Sequence, residues 1–180
     1  MSATFVRPAT PADAPAMAGI RIAGWRSTYR GHVSDEVLEG FDQERETARM
    51  AELLASPPEY TQLVAETADG TVVGYCMFGP DRDYEGLPVG EVYAIYVEPE
   101  LKGQGHGGAL LDAAVTRLRA AGLGELHVWA LVGNELASGF YQRCGWVRDD
   151  LERPLDTLPD IDGDPVREER FTLPAGRPSA

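Results

Sequence analysis

The sequence predicts a single α/β (α+β) domain with a mixed central sheet and helices on both of its faces. Three observations carry this. Strand-like and helix-like segments follow one another in the order β-α-α-β-β-β-α-β-α-β-β, an alternation that layers helices on a sheet. At 180 residues and 19.5 kDa the chain suits one domain with a sizeable core, and it needs no metal or disulfide staple. Hydrophobic residues make up 43% and charged residues 25%, which argues against disorder. The domain is expected over 1–173, with 174–180 as a flexible tail.

Each element has its own signal. Thr4–Arg7 reads as a short strand. Asp13 is a candidate helix cap with Pro15 in the first turn. The helix then runs to about Arg30, with Ala18, Ile22, Trp25 and Tyr29 on one stripe. Phe41–Ala55 reads as a second helix, capped by Asp42 and stopped by Ser56-Pro57-Pro58. Tyr60–Glu66 and Val72–Phe78 flank the turn Ala68-Asp69-Gly70 as a hairpin. After a loop from Gly79 to Gly90, Glu91–Val97 is rich in β-branched and aromatic residues and predicts a buried central strand. Gly105–Ala121 is a helix with Leu110, Leu111, Ala114, Val115 and Leu118 on one face and Gly122 as its stop. Leu126–Leu131 is a strand and Asn134–Cys144 a short helix closed by Gly145. Trp146–Arg148 begins a strand, an acidic loop follows, and Val166–Leu173 is the last strand.

Charge and cysteine content exclude several functions. There are 29 acids against 16 bases, a net charge of -13. That field repels phosphate backbones and anionic lipid heads, so neither nucleic acid nor membrane is an expected partner. No apolar run reaches the ~20 residues that span a bilayer, and no basic-then-apolar leader opens the sequence; a cytoplasmic location is expected. Cys76 and Cys144, with three scattered histidines, make no zinc pattern, so no metal is expected. From Asp149 to Arg170 nine acids face three arginines. This segment either attracts a cationic substrate or is merely solvated.

The most informative stretch is Lys102-Gly103-Gln104-Gly105-His106-Gly107-Gly108, between the central strand and a strong helix. Glycine permits positive φ and close approach of a ligand. The first amides of a helix lack internal partners and carry the positive end of its dipole. Together they make an anion cradle suited to phosphates. Gly103, Gly105 and Gly108 satisfy GxGxxG, but five residues separate Val97 from Gly103, and no acid ends the next strand; a dinucleotide fold is rejected on that context. No Gly-Lys-Ser/Thr follows, so the P-loop fails as well.

Lys102-x-x-Gly105-x-Gly107, preceded by Val97-Glu98-Pro99, resembles the GNAT superfamily of N-acetyltransferases, which carry Arg/Gln-x-x-Gly-x-Gly/Ala there. Lys102 departs from the usual Arg or Gln, keeping charge and losing a bidentate contact. Asn134-Glu135-x-Ala137 with Phe140-Tyr141 and Gly145-Trp146 resembles the second motif of that family. The resemblance covers about residues 60–148. It implies a mostly antiparallel sheet and acetyl-CoA as co-substrate, bound by the Lys102–Gly108 loop and by backbone groups of Ile95, Tyr96 and Val97. Arg143 would meet a CoA phosphate. Asn134 either bonds the pantetheine or simply caps its helix. The His106 side chain, at a variable motif position, is expected to face solvent.

Direct transfer to an amine in a ternary complex needs a base for the amine, an acid for the leaving thiolate and a donor for the oxyanion. The resemblance implies Tyr141 as the acid. Glu91 lies eleven residues before Lys102, the spacing at which histone-type members of that family place a general-base glutamate, so the resemblance implies Glu91 as the base, acting through water. Trp25 and Tyr29 either line the acceptor site or pack within their helix. The implied acceptor is a small-molecule amine or a peptide amine, and the implied assembly a possible homodimer. The alternative function is a non-catalytic acyl-CoA-binding or sensing module.

Overall fold

A sheet of seven strands runs through the computed structural model, which describes residues 4–55, 60–159 and 165–176, with the backbone alone over 156–159. The strands are β1 (Phe5–Pro8), β2 (Thr61–Glu66), β3 (Val72–Pro80), β4 (Val89–Val97), β5 (Glu125–Leu131), β6 (Val147–Pro159) and β7 (Pro165–Leu173). The helices are α1 (Ala14–Thr28), α2 (Asp35–Glu39), α3 (Gln43–Ala55), α4 (His106–Ala120) and α5 (Glu135–Arg143). The strand order is β1-β2-β3-β4-β5-β7-β6. Every neighbouring pair is antiparallel except β4 and β5, so the sheet is mixed, as the element order predicts, and mostly antiparallel, as the resemblance implies.

Alternation along the strands divides two cores. Leu63, Cys76, Val92, Val128 and Phe171 meet the stripe Leu110, Leu111, Ala114, Val115 and Leu118 of α4. On the opposite face Val64 and Tyr75 meet Ala14, Met17 and Ala18 of α1 and Met50 of α3. A fully buried Leu of this kind contributes about 1.5–3 kcal/mol. A third cluster joins the end of α1 to the far strands through Trp25, Val33, Leu38, Leu131 and Val166. Helices therefore lie on both faces.

Local chemistry explains the element ends. Asp42 caps α3 by accepting from Arg45 N at 2.7 Å. Asp13 does not cap α1; it closes a preceding 3₁₀ turn, where its Oδ2 accepts from Thr10 N at 2.7 Å and from Thr10 Oγ1 at 2.9 Å. Helix α2 was not predicted; Ser34 Oγ accepts from Val37 N at its start. The expected stop at Ser56-Pro57-Pro58 lies outside the described residues.

The acidic loop expected after Arg148 is a correction. Over the described residues it is largely the hairpin β6–β7, where Asp149, Glu152, Glu168 and Glu169 meet arginines across the strands; its part over 160–164 lies outside the described residues. Glu168 pairs with Arg153 at 3.1 Å, Glu169 with Arg148 at 2.8 Å, Glu152 with Arg167 at 3.1 Å and Asp149 with Arg170 at 2.7 Å. These four acids, expected in a loop, are the polar dressing of an outer strand pair.

Two features of β4 position the site. Its ladder with β5 covers only Val89–Val92 against Glu125–Val128, although β4 runs on to Val97 and β5 to Leu131. Its register with β3 shifts between Met77 and Phe78, which oppose Ala94 and Val92, so Tyr93 is the extra residue of a bulge. From Tyr93 onward β4 bonds β3 alone, and alternate backbone groups face an unpaired edge.

Candidate active site

The glycine loop stands where the open edge of β4 ends. Gly103 and Gly105 have φ of +80° and +96°, a region that costs other residues about 1–2 kcal/mol. Gly105 is the N-cap of α4 and offers no side-chain cap. The first helical bond there runs from Ala109 N to Gly105 O at 3.0 Å, so the amides of His106, Gly107 and Gly108 lead the helix without an internal partner. A Cβ placed on Gly103, Gly105 or Gly108 would meet nothing within 4 Å. These residues form an open cradle of donors with the positive helix end behind it.

Lys102 borders this cradle. Its Nζ lies 3.3 Å from Ser27 Oγ and 3.2 Å from Thr28 Oγ1, at the end of α1. Burial lowers its pKa. Its hydrogen-bond partners are hydroxyls, which leave its charge free to turn toward an anion. Gln104 is exposed. His106 corrects the expectation of a solvent-facing side chain: it is 1% exposed, and its Nδ1 lies 2.9 Å from Thr4 Oγ1. The first residue of α4 points inward and ties the loop to the start of β1. Asn134 caps α5, its Oδ1 accepting from Ala137 N at 3.1 Å. Arg143 is exposed at the last turn of α5.

Tyr141 reaches the core from α5. It is 5% exposed and packs against Phe140, Trp146 and Phe171 at 5.3, 6.1 and 5.6 Å between ring centroids. Burial raises its pKa far above the usual phenol range, so it holds its proton at neutral pH. Ile95, Tyr96 and Val97 occupy the part of β4 that β5 leaves unpaired. Tyr96 OH accepts from Trp25 Nε1 at 2.8 Å. Trp25 in turn stacks edge-on with Tyr29 at 4.6 Å. Trp25, Tyr29 and Tyr96 therefore form one aromatic group on the face opposite α4. Burial, then Tyr96, Tyr141 and the Glu168 charge, hold the Tyr29 pKa well above its usual value.

Glu91 lies on the stretch where β4 and β5 are still paired, opposite His127. It is 2% exposed. Arg82 takes both of its oxygens, Nη2 to Oε1 at 2.9 Å and Nε to Oε2 at 3.3 Å.

Sequence reasoning missed three residues near this face. His127, to which no role is assigned from sequence, is fully buried between Asp81 at 2.6 Å and Glu125 at 3.0 Å. Glu168 stands on β7 two residues from Val166, a member of the cluster that holds Trp25, Tyr29 and Tyr96. Tyr84 stacks near His127 at 5.2 Å and accepts from Arg170 at 2.8 Å. Asp81 lies 46 residues from His127 and Arg170 lies 86 from Tyr84, so no local spacing signals these contacts.

Comparison with known proteins agrees with this geometry. The profile of the Acetyltransferase (GNAT) family matches residues 25–146. The chain is 34% identical to the aminoglycoside N(6')-acetyltransferase type 1 of Stenotrophomonas maltophilia, over 81% of this chain and 87% of that protein. It is 36% identical to the L-methionine sulfoximine/L-methionine sulfone acetyltransferase of Pseudomonas aeruginosa, over 48% of this chain and 51% of that one. The fold matches the PaiA N-acetyltransferase of Thermoplasma acidophilum, solved with coenzyme A, at a TM-score of 0.69 and 20% identity, covering 94% of this chain and 99% of that one. The chain belongs to the GNAT family of acyl-CoA-dependent N-acetyltransferases.

Proposed function

We propose that the protein transfers an acetyl group from acetyl-CoA to a primary amine by direct attack in a ternary complex. The observation that carries this is the uncapped start of α4 above the positive-φ glycines, beside the unpaired edge of β4. A pyrophosphate fits that cradle of donors, and the open strand edge fits an amide-bearing arm. In this reading Gly103–Gly108 and Lys102 hold the phosphates, with Arg143 outside them. Backbone groups of Ile95, Tyr96 and Val97 hold the arm and donate to the thioester oxygen. Asn134 contributes by fixing the start of α5.

Acetyl-CoA supplies the activated carbonyl. The amine nitrogen bonds to that carbon as the carbon–sulfur bond breaks. Tyr141 gives its proton to the leaving sulfur, and the amine proton passes through water to Glu91. The Arg82 pair favours a second reading of Glu91, as the anchor that holds the β3–β4 loop against β4. Acceptors of the relatives, an aminoglycoside or an amino-acid analogue, mark two candidate classes.

Thermal unfolding with acetyl-CoA, CoA and NAD tests the cradle. A ligand at about 100 times its Kd stabilises by ~2.7 kcal/mol, so acetyl-CoA and CoA should raise Tm by a few degrees and NAD should not. No shift with either CoA species at saturation refutes the reading. Tyr141→Phe should lower kcat at least about tenfold while CoA affinity stays within a few fold; unchanged kcat removes Tyr141 as the acid. Glu91→Gln should flatten the acidic limb of the pH–rate profile if Glu91 is the base. If it is the anchor, Tm falls and the limb stays.

A further inference from the structure

The face opposite α4 carries a built set of charges, of which the proposed mechanism uses Glu91 alone. The β3–β4 loop folds back over it, and four successive residues each reach a strand. Asp81 meets His127 of β5 at 2.6 Å, and Arg82 meets Glu91 of β4 at 2.9 Å. Asp83 meets Arg153 of β6 at 2.7 Å, and Tyr84 meets Arg170 of β7 at 2.8 Å. Each arginine of this group is held by a carboxylate: Arg82 by Glu91, Arg153 by Asp83 and Glu168, Arg170 by Asp149.

Glu168 is placed differently from the other acids. It stands across from Leu131, the last residue of β5. Along β7 it lies two residues from Val166, which packs with Trp25, Tyr29, Leu131 and Tyr96 in one cluster. Its Oε2 accepts from Arg153 Nε at 3.1 Å, and its side chain keeps 16% exposure. The Arg153 guanidinium lies 4.0 Å over the Trp129 ring. A cation thus already sits between a carboxylate and an indole face, an arrangement that attracts cations generally. Tyr29 belongs to the same cluster as Val166, and Tyr141 and Glu168 both act on its ionisation.

We propose that Glu168 binds a second ammonium of the acceptor in competition with Arg153, so that the acceptor is a compound with two or more amines and no carboxylate beside them. The proposal rests on the acetyltransferase reading, in which the reacting amine lies by Tyr141. That nitrogen must be neutral to attack, and a carboxylate that stabilised its ammonium would oppose the reaction. A second ammonium stays charged throughout and is the natural partner of Glu168. A carboxylate on the acceptor would find Arg82, Arg153 and Arg170 already paired and Glu168 repelling it.

Steady-state kinetics with kanamycin, spermidine, n-pentylamine and L-methionine sulfoximine test this in the wild type, Glu168→Gln and Arg153→Met. Acetyl-CoA binding is read separately by thermal shift. Loss of that shift in the wild type refutes the acetyltransferase reading itself; a retained shift leaves the kinetics to judge Glu168. Kanamycin or spermidine should be turned over with the lowest KM. Glu168→Gln should raise that KM about tenfold or more with kcat nearly unchanged, the mark of binding that is equal in the ground and transition states. Arg153→Met keeps the stacked side chain, removes the competing charge and should lower the same KM. Failure of the wild type to acetylate either polyamine overturns the proposal. So does preference for n-pentylamine or L-methionine sulfoximine, or an equal rise in KM in both variants, which is what a merely structural ion pair would give.

Discussion

Gly108 shows how a single residue separates the demands of the fold from those of a ligand. Gly74 is glycine because a Cβ there would lie 2.9 Å from Tyr96 O and 3.2 Å from Leu110 Cδ1. Gly105 is glycine because its φ is +96°. Gly108 has neither reason: it lies in the first turn of α4, its Cβ would meet nothing within 4 Å, and its φ is not among the positive values. Alanine at a helical position is favoured over glycine by about 1 kcal/mol. Gly108→Ala should therefore raise Tm in the absence of ligand, whereas Gly74→Ala should lower it through overpacking worth about 1–3 kcal/mol. If phosphates pass over the cradle, Gly108→Ala should at the same time weaken CoA binding by calorimetry. Unchanged affinity would mean that no phosphate approaches this turn.

At the scale of elements, the N-terminus is held by one charged knot. Arg7 of β1 reaches Asp13 at 2.8 Å and also pairs with Glu66 of β2. The Arg7 hydrogen bond holds the Asp13 pKa down at about 2, against the opposing effect of burial and with help from Thr10. A folded-state value below the unfolded one of ~3.9 means the contribution is fully present above about pH 4 and is lost as pH falls toward 2. It amounts to about 2 kcal/mol. Asp13→Asn should lower stability by about that much at pH 7, and the gap from wild type should close between pH 4 and 2 in denaturant titrations. A gap constant with pH would mean that the loss is packing and not charge. Here the sequence was half legible. Strand β1 and helix α1 could be read from pattern, but Asp13 read as a helix cap because its true partner, Arg7, lies on another element. The central strand and α4 were clear because a β-rich run and a helical stripe each repeat one signal over many residues. Helix α2 has five residues and only the Ser34 cap to announce it. The β6–β7 hairpin hid behind its acids, whose arginine partners become visible only in register. In the site, the glycine loop, β4 and Tyr141 could be read as motifs. The buried side of His106 could not, since Thr4 lies 102 residues away.

For the whole molecule the net charge of -13 matters most as a long-range field. Several of the individual acids are spent locally: Asp149, Glu152, Glu168 and Glu169 of β6 and β7 are paired with arginines, and Glu46 is held by Arg21 and Arg49. Local pairing removes short-range sites for cations but leaves the summed potential, because 16 bases cannot offset 29 acids. That field gathers polyamines toward the molecule and disfavours anionic acceptors. Added salt shortens its reach from about 10 Å at 0.1 M to about 3 Å at 1 M. For a polyamine acceptor, KM should therefore rise steadily with salt while kcat holds, because the chemistry occurs among buried groups that salt screens little. Glu168→Gln should keep most of that slope while starting from a higher KM, since it removes one contact and not the field. A KM that stays flat across the salt range would show that acceptor capture is local, with the excess of acids serving only to keep the molecule soluble.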